Sequence, residues 1–190
     1  MDVIKNILFT PSILIQKVLH EKNHNELSVE RVFPRIAIYD IPLFYFSDPT
    51  YIVDNIYLGN VLNASNYSLL EKYKITSILN ITEEVPNYYN DRCLYLNVKI
   101  KDINSGDITE HFKEIIDFFK KSNGNLLVHC FMGASRSVII TMLYLIHFKN
   151  MSPEVALFFI KSRRPNINPN TTFYNQFCQY YKTHYLNYKN

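Results

Sequence analysis

The chain has 190 residues, 47% of them hydrophobic and 19% charged, and a formal net charge of +3. That is enough for one domain with a sizeable core, with or without an extension, and the composition is globular rather than disordered. So small a positive excess, with no basic run interleaved with aromatics, offers no nucleic-acid groove, and no apolar run reaches the ~18 residues of a membrane span. The three cysteines, Cys93, Cys130 and Cys178, are widely spaced and form no CxxC pair. They argue against a disulfide framework and a zinc site, and for a reduced, intracellular, cytoplasmic setting. Near the start, Thr10, Pro11 and Ser12 interrupt the apolar patches and no small-residue cleavage site follows, which argues against a signal peptide.

In chain order, Pro11 and the spacing of Leu14 and Val18 predict a short helix. The next run, RVFPRIAIYDIPLFYF, alternates apolar with other residues, but Pro34 and Pro42 confine it to extended or edge structure. Residues 1–48 therefore read as an appendage that covers the domain, docks a partner or forms a homodimer, and residues 49–190 as the main domain. TYIVDNIYLG reads as two short strands turning at Asp54-Asn55. ASNYSLLEKYK suits one helix capped by Ser65 or Asn66. ITSILNIT and CLYLNVKI read as strands. In DITEHFKEIIDFFKKSNG, Ile108, Phe112, Ile115, Ile116 and Phe119 share a helical face, and Gly124 ends the helix. NLLVHC is strand-like, and SRSVIITMLYLIHFKN is a helix apolar nearly all round, hence buried. A helix capped by Ser152 and Pro153 follows, and a last one after Pro169. Strands alternating with helices argue for an α/β layer fold with Cys130 at the carboxyl end of a central strand.

That position has chemical consequences. A loop between a strand end and a helix start turns several backbone N–H groups toward one point, and the helix dipole adds partial positive charge there. Such a concavity fits a tetrahedral oxyanion such as phosphate, and the same field favours a cysteine thiolate. Gly133 permits a tight turn. Arg136 supplies a planar, two-pronged donor matching two phosphate oxygens, as a lysine could not.

The run HCFMGASRS, residues 129 to 137, resembles the HCxxGxSRS signature of the cysteine-dependent protein phosphatases, in their dual-specificity branch. PTYIVDNIYLGN and SRRPNINPNTTFYNQF are similar to the segments that open and close that family's domain, so the resemblance covers about residues 49–180. It implies a three-layer α/β/α fold with a central mixed, mostly parallel sheet of about five strands. The phosphate-binding loop would lie between a central strand and a buried helix. It further implies hydrolysis of phosphotyrosine and of phosphoserine or phosphothreonine in phosphoprotein substrates, with no metal and no cofactor. Cys130 would be the nucleophile and Arg136 the clamp, with Phe131, Met132, Gly133, Ala134 and Ser135 forming the loop. Ser137 would ease departure of the sulfur, while His129 and Asn170 would steady the loop. Spacing within the family favours Asp102 as general acid over Asp107, which sits where it would cap the following helix.

Arg163 and Arg164 are ordinary solvated side chains or a second anion site. Cys93 and Cys178 read as core thiols, with a protective disulfide to Cys130 as the other reading. Two other functions stand beside the phosphatase. The first is a catalytically silent module that captures phosphoproteins, although such relatives usually lose the cysteine. The second is an RNA 5′-phosphatase, whose loops carry Arg-Thr and His-Gly elements that this chain lacks. Relatives acting on inositol lipids place lysines in the loop, and here there are none.

Overall fold

A computed structural model of the chain describes residues 43–101 and 106–186. The helix expected near Pro11, most of the extended arm and the homodimer contact lie outside the described residues.

Five strands form one sheet: β1 (Thr50–Val53), β2 (Ile56–Gly59), β3 (Ile75–Asn80), β4 (Leu94–Asn97) and β5 (Asn125–His129). Their spatial order is β1-β2-β5-β3-β4. The β1–β2 pair is antiparallel, with Asp54 in the left-handed region at φ 50° in the turn, and every other pairing is parallel. The mixed, mostly parallel sheet expected from the resemblance is therefore present, and Cys130 leaves its central strand.

Strand alternation separates two apolar layers. From β5, Leu126 and Val128 face a large cluster with Phe112, Ile115, Leu143, Phe173 and Phe177, while Leu127 faces a smaller one with Ala64, Leu70, Ile78 and Cys93. All three β5 side chains are fully buried, each contributing roughly 2 kcal/mol. Paired on both edges and buried on both faces, this strand is a well-supported platform for a site at its carboxyl end.

The smaller layer is covered by α1 (Val61–Ser65) and α2 (Tyr67–Lys72). The helix read over ASNYSLLEKYK is α2, with Asn66 as its cap, and the structure adds the short α1 before it. Asn60 and Asn63 form a reciprocal capping box that starts α1 earlier. Asn66 then adopts an extended conformation (φ −101°, ψ 102°) and caps α2 by accepting from the Leu69 N–H. The larger layer holds α3 (Phe112–Lys121), α4 (Arg136–Lys149), α5 (Pro153–Arg163) and α6 (Thr171–Tyr181). Ahead of α3, Ile108–His111 is a 3₁₀ turn, because Asp107 caps it by accepting from the Thr109 N–H at 2.9 Å. At the other end α3 stops before Gly124: the Ser122 N–H and hydroxyl both return to the Phe118 carbonyl, at 2.9 and 2.8 Å. Every residue of α4 from Arg136 to Ile146 is buried, as its all-round apolar sequence predicts.

The packed domain begins before residue 49. Tyr45, in the 3₁₀ turn Leu43–Phe46, is wholly buried, and its carbonyl accepts from Asn60 Nδ2 at 2.7 Å. The Ser47 carbonyl accepts from Asn63 Nδ2 at 3.0 Å. Asp48 takes Lys72 Nζ at 2.7 Å and the Tyr73 hydroxyl at 2.5 Å, which hold its carboxyl below the usual carboxylate range. Residues 45–48 are therefore joined by burial and hydrogen bonds to the elements that follow them.

Candidate active site

The loop from Cys130 to Ser135 leaves β5 and enters α4, whose first residues are Arg136 and Ser137. Cys130 is 1% exposed at its floor. Its Sγ accepts from the Gly133 N–H at 3.3 Å and lies 3.2 Å from Ser137 Oγ. A backbone donor and a hydroxyl thus converge on the sulfur beside the N-terminus of a 14-residue helix.

Gly133 has φ +68°, and a Cβ there would collide with the Gly59 carbonyl. No other residue type fits that turn without moving β2. Three of the loop carbonyls are taken by donors from other elements. Phe131 O accepts from the Val61 N–H at 3.1 Å and the Tyr45 hydroxyl at 3.3 Å. Gly133 O accepts from Arg164 Nε at 3.0 Å, and Ala134 O from the Asn168 N–H at 2.8 Å. Ser135 Oγ accepts from the Asn170 N–H at 3.1 Å, while the Asn170 side chain caps α6 by accepting from the Thr172 N–H at 2.8 Å. Phe131 is buried among Tyr45, Val61 and Val85, with Met132 packed at the edge of that group.

Arg136 is 2% exposed. Its Nη2 donates to Glu84 Oε1 at 2.7 Å, and its Nη1 to Glu84 Oε2 at 3.1 Å and to the Ile100 carbonyl at 2.8 Å. One guanidinium thus ties three pieces of chain together: the start of α4, the loop after β3, and the segment leading toward residue 102. His129 is buried, and desolvation, with the nearby Arg136 charge, lowers its pKa to about 4. It is neutral near pH 7, with Nδ1 3.3 Å from the Cys130 carbonyl.

Cys130, Phe131, Met132, Gly133, Ala134, Ser135, Arg136, Ser137, His129 and Asn170 are therefore brought together as one loop and its immediate supports. Asp102 lies outside the described residues, and Asp107 is engaged as a cap. Arg163 and Arg164 are not brought together: Arg163 is exposed and stacks on the Phe159 ring at 3.6 Å, whereas Arg164 is buried behind the loop. Cys93 is buried near the Ile75 carbonyl, and Cys178 is half-buried on α6. Among the described residues no cluster of His, Cys, Asp or Glu could hold a metal.

Sequence reasoning missed Glu84, Tyr45 and Asn168. For Glu84 a signal existed: Glu83 and Glu84 follow closely on the carboxyl end of β3, the side on which α/β sheets build their sites.

A loop at a helix N-terminus with a sulfur at its floor has the chemistry that suits a tetrahedral oxyanion. Comparison with known proteins agrees with that geometry. Residues 56–183 match the family described as "Dual specificity phosphatase, catalytic domain". The chain is 34% identical to dual specificity protein phosphatase 1-A of Xenopus laevis over 142 residues, which cover 73% of this chain and 38% of that protein. It is 32% identical to dual specificity protein phosphatase 1 of Arabidopsis thaliana over 160 residues, 82% of this chain and 81% of that one. Against the crystal structure of DUSP15 the TM-score is 0.66 at 34% identity, covering 70% of this chain and 86% of that chain. The chain thus spans less than two-fifths of the Xenopus protein and about four-fifths of the plant one. With motif, topology and loop geometry in agreement, the chain belongs to the dual specificity phosphatase family.

Proposed function

We propose that the protein hydrolyses phosphate monoesters on tyrosine and on serine or threonine side chains of phosphoproteins. The observation that carries this reading is the convergence of the Gly133 N–H and Ser137 Oγ on the buried Cys130 sulfur, beside an Arg136 fixed by a two-pronged bond to Glu84.

In the first step Cys130 Sγ forms a bond to phosphorus, the bond from phosphorus to the substrate oxygen breaks, and Asp102 gives its proton to that oxygen. Arg136 and the loop amides hold the non-bridging oxygens as charge redistributes. In the second step water attacks phosphorus, Asp102 takes its proton, and sulfur leaves as thiolate, eased by the Ser137 hydroxyl 3.2 Å away. Neutral His129 braces the loop and exchanges no proton. The loop offers no lysine for further phosphates, which favours a phosphoprotein over an inositol lipid. Three free thiols suit a reducing compartment, in which Cys130 stays available.

The test is turnover of p-nitrophenyl phosphate and of phosphotyrosine and phosphothreonine peptides. Cys130→Ser should abolish hydrolysis while retaining phosphate binding, and acid quench of the native protein should trap phosphate on Cys130. Asp102→Asn should lose far more activity on phosphothreonine peptide than on the activated aryl ester. Phosphopeptide binding without turnover by the native chain would establish the silent capture module in its place.

A further inference from the structure

Arg164 follows α5 directly and runs beneath the loop with 5% of its surface exposed. Its Nε donates to the Gly133 carbonyl and its Nη1 to Thr50 Oγ1 on β1, both at 3.0 Å. The buried Nη2 has no hydrogen-bond partner among the described residues. Nor does any Asp or Glu among them form an ion pair with this guanidinium, in contrast to Arg136.

A buried cation without a carboxylate is costly, so its presence calls for negative charge elsewhere nearby. Burial pulls the Arg164 pKa down, and the charge that pushes it back is that of Cys130. The two arginines at the loop thus differ in kind. Arg136 is matched by Glu84 at 2.7 and 3.1 Å, and a matched pair projects little net charge into the concavity. Arg164 has no such match among the described residues. Its position also explains part of the Gly133 requirement, since a Cβ at residue 133 would sit 3.0 Å from Nη2.

We propose that Arg164 is a positioning residue that holds the Gly133 turn from behind and supplies the uncompensated positive charge for a Cys130 thiolate and a phosphate dianion. Glu84 withholds that charge from Arg136. The inference rests on the phosphatase reading above and adds a division of labour to it: Arg136 orients the oxyanion, while Arg164 sets the field.

The experiment compares alkylation of Cys130 by iodoacetate and by iodoacetamide in the full-length protein, read by mass spectrometry of the Cys130 peptide. In both reactions sulfur bonds to the methylene carbon and iodide leaves. The reagents differ by one negative charge, so the ratio of their rates reports local field and cancels the amount of thiolate present. The native protein should prefer iodoacetate. Arg164→Gln should lower the ratio about tenfold, and Arg164→Lys should keep it within about twofold. A native ratio in Arg164→Gln, or a fall in Arg164→Lys as large as that in Arg164→Gln, would overturn the proposal. Should Arg164→Gln fail to melt cooperatively, Glu84→Gln decides: removing the compensating carboxylate should raise the ratio about threefold or more, and an unchanged or lower ratio overturns the charge balance. A native protein that neither prefers iodoacetate nor turns over p-nitrophenyl phosphate would sink the phosphatase reading itself. Failure confined to the Arg164 and Glu84 variants of an active protein sinks only the inference.

Discussion

Replacing Tyr45 tests whether the segment before β1 is structural support for the loop or a dispensable cover. The ring is wholly buried, 6.4 Å from that of Phe131 between centroids, and packs with Val61 and Val85. Its hydroxyl donates to the Phe131 carbonyl at 3.3 Å, and burial, with repulsion from Cys130, pushes the phenol pKa well above its usual value, so it stays a neutral donor. Tyr45→Ala removes the whole ring and should cost about 3–4 kcal/mol, the range for a large buried aromatic. Tyr45→Phe removes only the hydroxyl. The Phe131 carbonyl keeps the Val61 N–H at 3.1 Å, so the cost should be about 1 kcal/mol. Urea unfolding would read both changes as shifts in midpoint at constant slope. Because Phe131 begins the loop, Tyr45→Ala should also lower kcat by about tenfold, the kind of loss that follows a small misplacement of a reacting group. A Tyr45→Ala protein within about 1 kcal/mol of the native one would refute the argument and make the segment before β1 a dispensable cover.

Three further perturbations probe other parts of the site. Gly133→Ala combines a left-handed φ of +68° with a collision against the Gly59 carbonyl, and should cost about 3 kcal/mol or more and most of the turnover, by thermal melt and aryl phosphate assay. Asp107→Ala should lose about 1 kcal/mol of stability through its cap on the 3₁₀ turn, while activity toward poor leaving groups stays native; an activity loss confined to such substrates would move the acid to Asp107. His129 has a folded pKa of about 4 against an unfolded value near 6.5, so the unfolded chain takes up the proton first as pH falls. Its stability contribution is complete above about pH 6.5 and falls by about 3 kcal/mol toward pH 4; His129→Gln should flatten that part of a pH series of urea midpoints.

The strands and the long helices were legible because their periods are local properties of the chain. Leu126 to Val128, the Ile115–Phe119 face and the all-apolar run of α4 each announce burial within a few residues. Motif residues from Cys130 to Ser137 were legible for a similar reason, since thiol, turn and guanidinium lie in one stretch. What escaped was whatever depends on distant chain returning to the loop. Glu84 lies 52 residues from Arg136, and Tyr45 lies 86 residues from Phe131. The short α1 escaped for another reason: its five residues carry too little periodicity to announce a helix, whereas Asn66 was legible as the cap of α2. Arg163 and Arg164 are adjacent in sequence, yet the end of α5 sends one to solvent and the other beneath the loop.

The outward carbonyls explain why the concavity can exist before any substrate arrives. A short loop has as many acceptors as donors, and left alone it would turn some of each toward the centre, where a carbonyl repels an anion. Here the carbonyls of Phe131, Gly133 and Ala134 are each taken by a donor from a different element: the start of α1, the end of α5 and the approach to α6. The sheet joins in through Thr50, which holds Arg164, and through Gly59, whose carbonyl leaves room only for a glycine at 133. Donors are thereby left for the interior, as the Gly133 N–H on Cys130 Sγ illustrates. Their orientation is set during folding, so binding an oxyanion need not reorganise them, and that is the condition under which fixed dipoles lower a barrier most. Stability of the domain and reactivity of the sulfur therefore depend on the same bonds.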